Sequence, residues 1–215
     1  MINFENNTYK KTYKKTYKNT YPIIDDSWLV NTNLFIPPKV GIVVYGSLCK
    51  HLGELSESVE KEVYEGPVLK ISLNGCNKIK KNLARILDYK NGTRINTVVK
   101  IFKKNLTLDE IKNIILLREG NINYISYYER TTNRLHNIPD HLSEPSIIDN
   151  LKLKMYKTSL KLELDYLFFI TYPPRIKDPL LYITSNQSTI YDTKNYLKKC
   201  DSKTLSNLEK KILSL

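Results

Sequence analysis

No run of about 18 apolar residues occurs in the chain, so nothing in it reads as a membrane-spanning helix. Residues 1–21 are polar and lysine-rich and lack the apolar stretch of a signal peptide. A soluble, cytoplasmic protein with no membrane partner is the expectation. Cysteine is scarce: Cys49, Cys76 and Cys200 are odd in number and too sparse for a disulfide framework. They read as reduced thiols. Cys49 lacks an evident base, because His51 two residues away in sequence is no evidence of geometry, so an inert thiol is expected there. His136 and His141 stand near Asp140 and Glu144, but the proline between them breaks any regular helix, and a surface loop rather than a metal site is expected. Neither a metal nor an organic cofactor is expected.

Charge of one sign is plentiful. The formal net charge is +12 over 215 residues, a balance that favours phosphate-bearing partners through counterion release. Its distribution argues otherwise. Residues 1–24 carry five lysines and one acid, and the remaining +8 is spread over many segments rather than gathered on one helix. Abundant Lys, Asn, Ile and Tyr also follow from an AT-rich coding sequence. Specific nucleic-acid binding is therefore disfavoured, and a small-molecule partner is preferred.

At this length one domain with a sizeable core is expected. Residues 1–22 form a tail in which Thr-Tyr-Lys recurs with a period of four, at Thr8, Thr12 and Thr16, with a last Thr-Tyr at Thr20. Threonine and tyrosine are poor helix formers, so a flexible, dispensable basic arm is expected. The other reading is a docking arm whose rings stack on a partner.

The domain spans 23–215. Its first strand, Val40-Gly41-Ile42-Val43-Val44-Tyr45, is nearly continuously apolar, as a strand buried on both faces should be. Further strands are expected at 68–73, 84–89, 97–102, 122–128 and 162–171. A helix is expected at 108–119, with Thr107 and Glu110 as a capping box, Ile111, Ile114 and Ile115 as an aliphatic stripe, and Gly120 as its end. A second helix is expected at 193–214, and an insertion or lid at 131–156. The fold class is α+β, a mixed, curled sheet or barrel with few helices.

Two places suggest chemistry. Gly46-Ser47 ends the buried strand in a turn whose backbone N–H groups can cradle an anion. Glu119 ends the 108–119 helix, where the dipole disfavours negative charge, and Ile115, Leu116 and Leu117 are expected to desolvate it. A carboxylate of raised pKa suits general acid/base work. The plain alternative is an exposed glutamate beside Arg118.

In order along the chain these pieces resemble the γ-glutamylcyclotransferase-like superfamily. Tyr45-Gly46-Ser47-Leu48 looks like its substrate loop, and Glu65-Gly66-Pro67-Val68 is similar to the Gly-Pro strand of a bacterial branch. Asn82-Leu83-Ala84-Arg85-Ile86-Leu87-Asp88 with Asn91-Gly92-Thr93 resembles the following strand and turn. Leu116-Leu117-Arg118-Glu119-Gly120, followed by Tyr124, looks like the block that holds the family's catalytic glutamate. The resemblance covers residues 38–130. It implies a lyase-type cyclotransferase that closes a γ-glutamyl amide to 5-oxoproline, with Glu119 as general acid/base. Tyr45, Gly46, Ser47, Leu48, Cys49 and Tyr124 or Tyr127 would then bind the substrate. Ser72-Leu73-Asn74-Gly75 departs from the polar-basic triplet of that branch. That departure and the excess positive charge motivate an alternative, a non-catalytic protein whose anion-holding pocket captures a small, nucleotide-like ligand.

Overall fold

The computed structural model describes residues 37–215 apart from 50–52, 77–82, 186, 201, 203 and 204; for Ser47, Glu54, Cys76, Gln187 and Ser188 it describes the backbone alone. The Thr-Tyr-Lys tail, His51 and Asn82 lie outside the described residues.

The centre is β1 (Val40–Val44), all five residues of which are buried. It pairs antiparallel with β6 (Val98–Phe102), Ile42 opposite Lys100, and parallel with β9 (Tyr166–Ile170), Ile42 opposite Phe168. With β2 (Val59–Val63), β7 (Ile125–Glu129) and β8 (Arg134–His136) they make a six-stranded mixed sheet in the order β2-β6-β1-β9-β7-β8. A second sheet of three strands runs β4-β3-β5, with β3 at Leu69–Cys76, β4 at Leu83–Leu87 and β5 at Thr93–Ile95. The α+β class is as expected. No closed barrel forms among the described residues, because β3 spends its edges on β4 and β5 and leaves the larger sheet open.

Alternation along β1 separates two cores. Ile42 and Val44 join Phe102, Phe168, Leu48 and Leu55 beneath Ile111 and Ile115 of α1 (Leu108–Glu119). On the other face Val43 joins Val99, Leu167 and Phe169, with Leu69, Ile71 and Leu87 of the small sheet and Leu151 and Met155 of α2 (Pro145–Leu162). A third cluster sets α3 (Pro179–Thr184), α4 (Gln187–Lys198) and α5 (Asn207–Ser214) against Leu73 and Leu83.

The α1 signals hold in detail. Thr107 Oγ1 accepts from the Glu110 N–H at 3.3 Å, the Glu110 carboxylate accepts from the Thr107 N–H at 2.7 Å, and Gly120 ends the helix at φ 72°. Other expectations shift. The 193–214 helix is two, since Ser206 starts α5 with a capping box of its own to Glu209. The 131–156 segment supplies β8 and the first two thirds of α2, whose Ile147, Leu151 and Met155 are buried in the core. The expected 162–171 strand starts late, because Leu162 still belongs to α2.

Candidate functional site

Topology gathers the chemistry at one edge. β1 and β9 are parallel, so Tyr45 and Tyr172 both leave the sheet from C-terminal strand ends. β7 is antiparallel to β9, so its start, just after Glu119 and Gly120, reaches the same edge. The Thr171 N–H donates to the Tyr124 carbonyl at 2.8 Å and locks that junction.

At this edge the Glu119 side chain is only 4% exposed. Its Oε2 accepts a hydrogen bond from the Tyr172 hydroxyl, while its Oε1 has no hydrogen-bond partner among the described residues. Arg118 Nη1 stands 4.0 Å from that oxygen, near enough for charge attraction and too far for a hydrogen bond. Burial raises the Glu119 pKa above the ordinary carboxylate value, against the lowering effects of the Tyr172 bond and the Arg118 charge. Part of the expected desolvation is absent: Ile115 is buried, but Leu117 is 76% exposed, because it lies on the solvent side of the α1 stripe.

Around this carboxylate lie three tyrosines. Tyr45 is buried and donates its hydroxyl to the Ile170 carbonyl; burial, and then the nearby Glu119 charge, raise its pKa. Tyr172 is raised by burial and again by Glu119. The Tyr124 ring packs on Tyr172 with centroids 4.8 Å apart, and Arg175 Nη2 donates to the Tyr124 hydroxyl at 3.3 Å. Tyr127 is packed elsewhere, stacked on His136 at 4.5 Å and against Phe168.

The substrate-like loop is a single helical turn, Gly46–Cys49. Gly46 has φ +74°, and a Cβ built on it would come within 2.5 Å of the Tyr196 hydroxyl, so both conformation and space demand glycine. Leu48 is buried under α1 and serves packing. Cys49 turns its Sγ to the Val44 carbonyl at 3.7 Å, and its own carbonyl accepts from Lys100 Nζ at 3.2 Å. Lys100, buried on the α1 face of β6 and paired with Glu62, thus holds the end of the loop.

The structure therefore brings Tyr45, Glu119 and Tyr124 together and assigns Leu48 and Cys49 mainly to packing. Sequence reading missed Tyr172, Arg175 and Tyr196. A signal for Tyr172 was present: like Tyr45, it follows a buried apolar run and precedes a chain breaker, here Pro173-Pro174. His136 is bound to Glu129 at 3.1 Å, and no group of three or more His, Cys, Asp or Glu side chains able to hold a metal gathers among the described residues. None of the helices described is long and apolar enough to cross a membrane. Compared with family models, curated proteins and solved structures, the chain matches none.

Proposed function

We propose that the protein is a γ-glutamylcyclotransferase-like enzyme that cleaves a γ-glutamyl amide by internal cyclisation. The observation that carries this reading is the Glu119 carboxylate, buried beside Tyr45 and Tyr172 with one oxygen free of any hydrogen-bond partner among the described residues. A carboxylate held this way is able to take and return a proton.

The chemistry suits so spare a site. Glu119 takes a proton from the substrate's α-ammonium, and the freed amine attacks the γ-carbonyl carbon. The new C–N bond closes a five-membered ring, the ring nitrogen gives up its second surplus proton, the original C–N bond breaks, and Glu119 carries the two protons in turn to the departing nitrogen, which leaves as an ammonium. The reaction is intramolecular, so most of the catalysis is conformational: the protein folds the substrate into the attacking geometry. The backbone N–H groups of Gly46–Cys49 hold the α-carboxylate or the developing oxyanion, Tyr45 packs at the end of the strand that leads into that loop, and Arg175 with Tyr124 supplies further polar groups at the same sheet edge. Tyr172 positions Glu119 and moderates the rise in its pKa.

The alternative of a pure binding protein rests on the excess positive charge and on the departure at residues 72–75. Asn74 there has a structural task that accounts for it: its amide nitrogen donates to Asp88 Oδ2 at 3.0 Å, and its carbonyl accepts from the N–H groups of Arg175 and Ile176. Incubation with γ-glutamyl amino acids, γ-glutamyl amines and glutathione, with 5-oxoproline read by mass spectrometry, tests the enzymatic reading. Product from at least one member is expected, and its loss in Glu119→Gln. No product from folded protein, or undiminished turnover in that variant, overturns it.

A further inference from the structure

Part of the positive charge that looks dispersed in sequence gathers at one place in the fold. A cavity of about 480 Å³ opens between β3, the turn after β4, β5 and the start of α2. Lys70, Lys90, Arg94 and Lys154 line it, against the single carboxylate of Glu144. No residue of its lining belongs to the Glu119 site.

Four cations in one cavity repel one another, and elsewhere this protein answers such charges with carboxylates, as at Arg85–Glu209 and Arg130–Asp165. Here it does not. None of the four makes an ion pair with a carboxylate among the described residues, and Glu144 accepts instead from the Ser146 hydroxyl at 2.8 Å. Two of the cations are nevertheless held in place. Lys70 Nζ donates to the Tyr89 carbonyl at 3.0 Å, and Lys154 Nζ sits 5.5 Å from the centroid of the Tyr89 ring. The Lys154 pKa is lowered by burial first and then by Arg94 and Lys70, so the uncompensated charge falls on groups that face one another. The Tyr89 hydroxyl is buried with no hydrogen-bond partner among the described residues.

We propose that this cavity binds a small phosphorylated ligand, with Lys70, Arg94 and Lys154 gripping its phosphate oxygens. The volume lies in the range of small-molecule sites, roughly 300–1,000 Å³. The lining carries four positive charges and one negative, a net +3, and a phosphate monoester carries about −1.5 to −2 at neutral pH, so one or two phosphate groups balance it. A guanidinium among the cations supplies the fork that matches phosphate geometry. Convergence on a concavity favours a compact anion over a nucleic acid, which asks for cations tracking a backbone along a groove.

Isothermal titration calorimetry of the full chain with sodium pyrophosphate, at low and at near-physiological salt, tests the site. Saturable binding is expected, weakened about tenfold or more by Lys154→Gln or Arg94→Gln, as befits a lost charged hydrogen bond. Lys154→Arg should retain most of it. Lys157→Gln, an exposed position on the same helix outside the lining, should leave it nearly unchanged. Lys154→Gln removes like-charge repulsion, so its ligand-free melting temperature should not fall, while the rise that pyrophosphate gives the parent protein should shrink. Glu119→Gln should bind pyrophosphate normally, which separates this site from the catalytic reading. Absence of saturable binding overturns the proposal. So does equal weakening by Lys157→Gln, or an oligonucleotide that binds and is not displaced by pyrophosphate.

Discussion

Replacing Tyr172 by phenylalanine removes one oxygen atom and the one hydrogen bond donated to Glu119 among the described residues. The ring remains to pack on Tyr124, so the change is chiefly electrostatic. A hydrogen bond to a charged group contributes about 1.5–3 kcal/mol and a neutral one about 0.5–1.5 kcal/mol. The upper figure applies when Glu119 is ionised, because its side chain is 4% exposed, its other oxygen lacks a donor, and Arg118 is 4.0 Å away. The pH dependence has a definite sign. Burial raises the folded-state pKa of Glu119, so the native state holds the proton more tightly than the unfolded chain. Its stability is greatest below the ordinary carboxyl range and falls as pH rises through the folded pKa. Tyr172→Phe removes a force that opposes this, so the fall becomes deeper and extends to higher pH. Urea unfolding at about pH 8 should show a loss of about 1.5–3 kcal/mol, shrinking to the neutral value near pH 4. In a Glu119→Gln background the loss at the higher pH should also fall to the neutral value. An equal loss at both pH values, or no change with Glu119→Gln, would refute the view that Tyr172 serves an ionised, buried carboxylate.

Other positions test the frame around the site. Glu209→Gln strips a bidentate partner, bonded at 2.6 and 2.8 Å, from the fully buried Arg85 side chain; urea unfolding should show a loss of about 3–5 kcal/mol, with a part regained when Arg85 is also replaced by Met. Gly46→Ala should lower stability by about 1–3 kcal/mol from its left-handed backbone alone, and adding Tyr196→Phe should recover only the steric part, both read by thermal unfolding. Ile115→Ala should cost about 2–5 kcal/mol in the same assay, and Leu117→Ala, two residues on, within about 0.5 kcal/mol of nothing. If the proposed reaction is catalysed, the acidic limb of its pH profile should lie above the ordinary carboxylate range and move further up in Tyr172→Phe, as measured by initial rates of 5-oxoproline formation.

Where sequence signals are local, they were readable. α1 announces itself by its capping box and terminal glycine, and β1 by an apolar run that only a strand buried on both faces tolerates. α2 was not readable in the same way, although Ile147, Leu151 and Met155 repeat at helical spacing. The segment 131–156 was expected as an insertion or lid, yet Pro145 stands at the first position of α2, where proline starts a helix rather than breaks it. The break before α5 carries a local signal, the capping box of Ser206 and Glu209, inside the single helix expected at 193–214. Glu119 and Tyr45 were legible as members of chain-local patterns. Tyr172 was not, because its meaning depends on the parallel pairing of β1 with β9, strands separated by more than a hundred residues.

Two buried glutamates in this protein separate structural from chemical use of a carboxylate. Glu209 has both oxygens bonded to Arg85 and also caps α5 through the Ser206 N–H, so its charge is answered on every side and fixes one helix to β4. Glu119 is as deeply buried, yet it ends a helix whose dipole opposes it, receives one hydroxyl, and keeps an oxygen unanswered among the described residues. A glutamate that only stabilised the fold would gain from a closer cation, and Arg118, the residue next to it, stops at 4.0 Å. Perturbed, incompletely satisfied carboxylates are what proton-transfer sites require, and satisfied ion pairs are what cores require. The same contrast holds for the cations: Arg85 is paired and structural, whereas Lys70, Arg94 and Lys154 gather around one carboxylate, Glu144, and form no ion pair with it or any other among the described residues, which is the arrangement expected where the counter-charge arrives with a ligand.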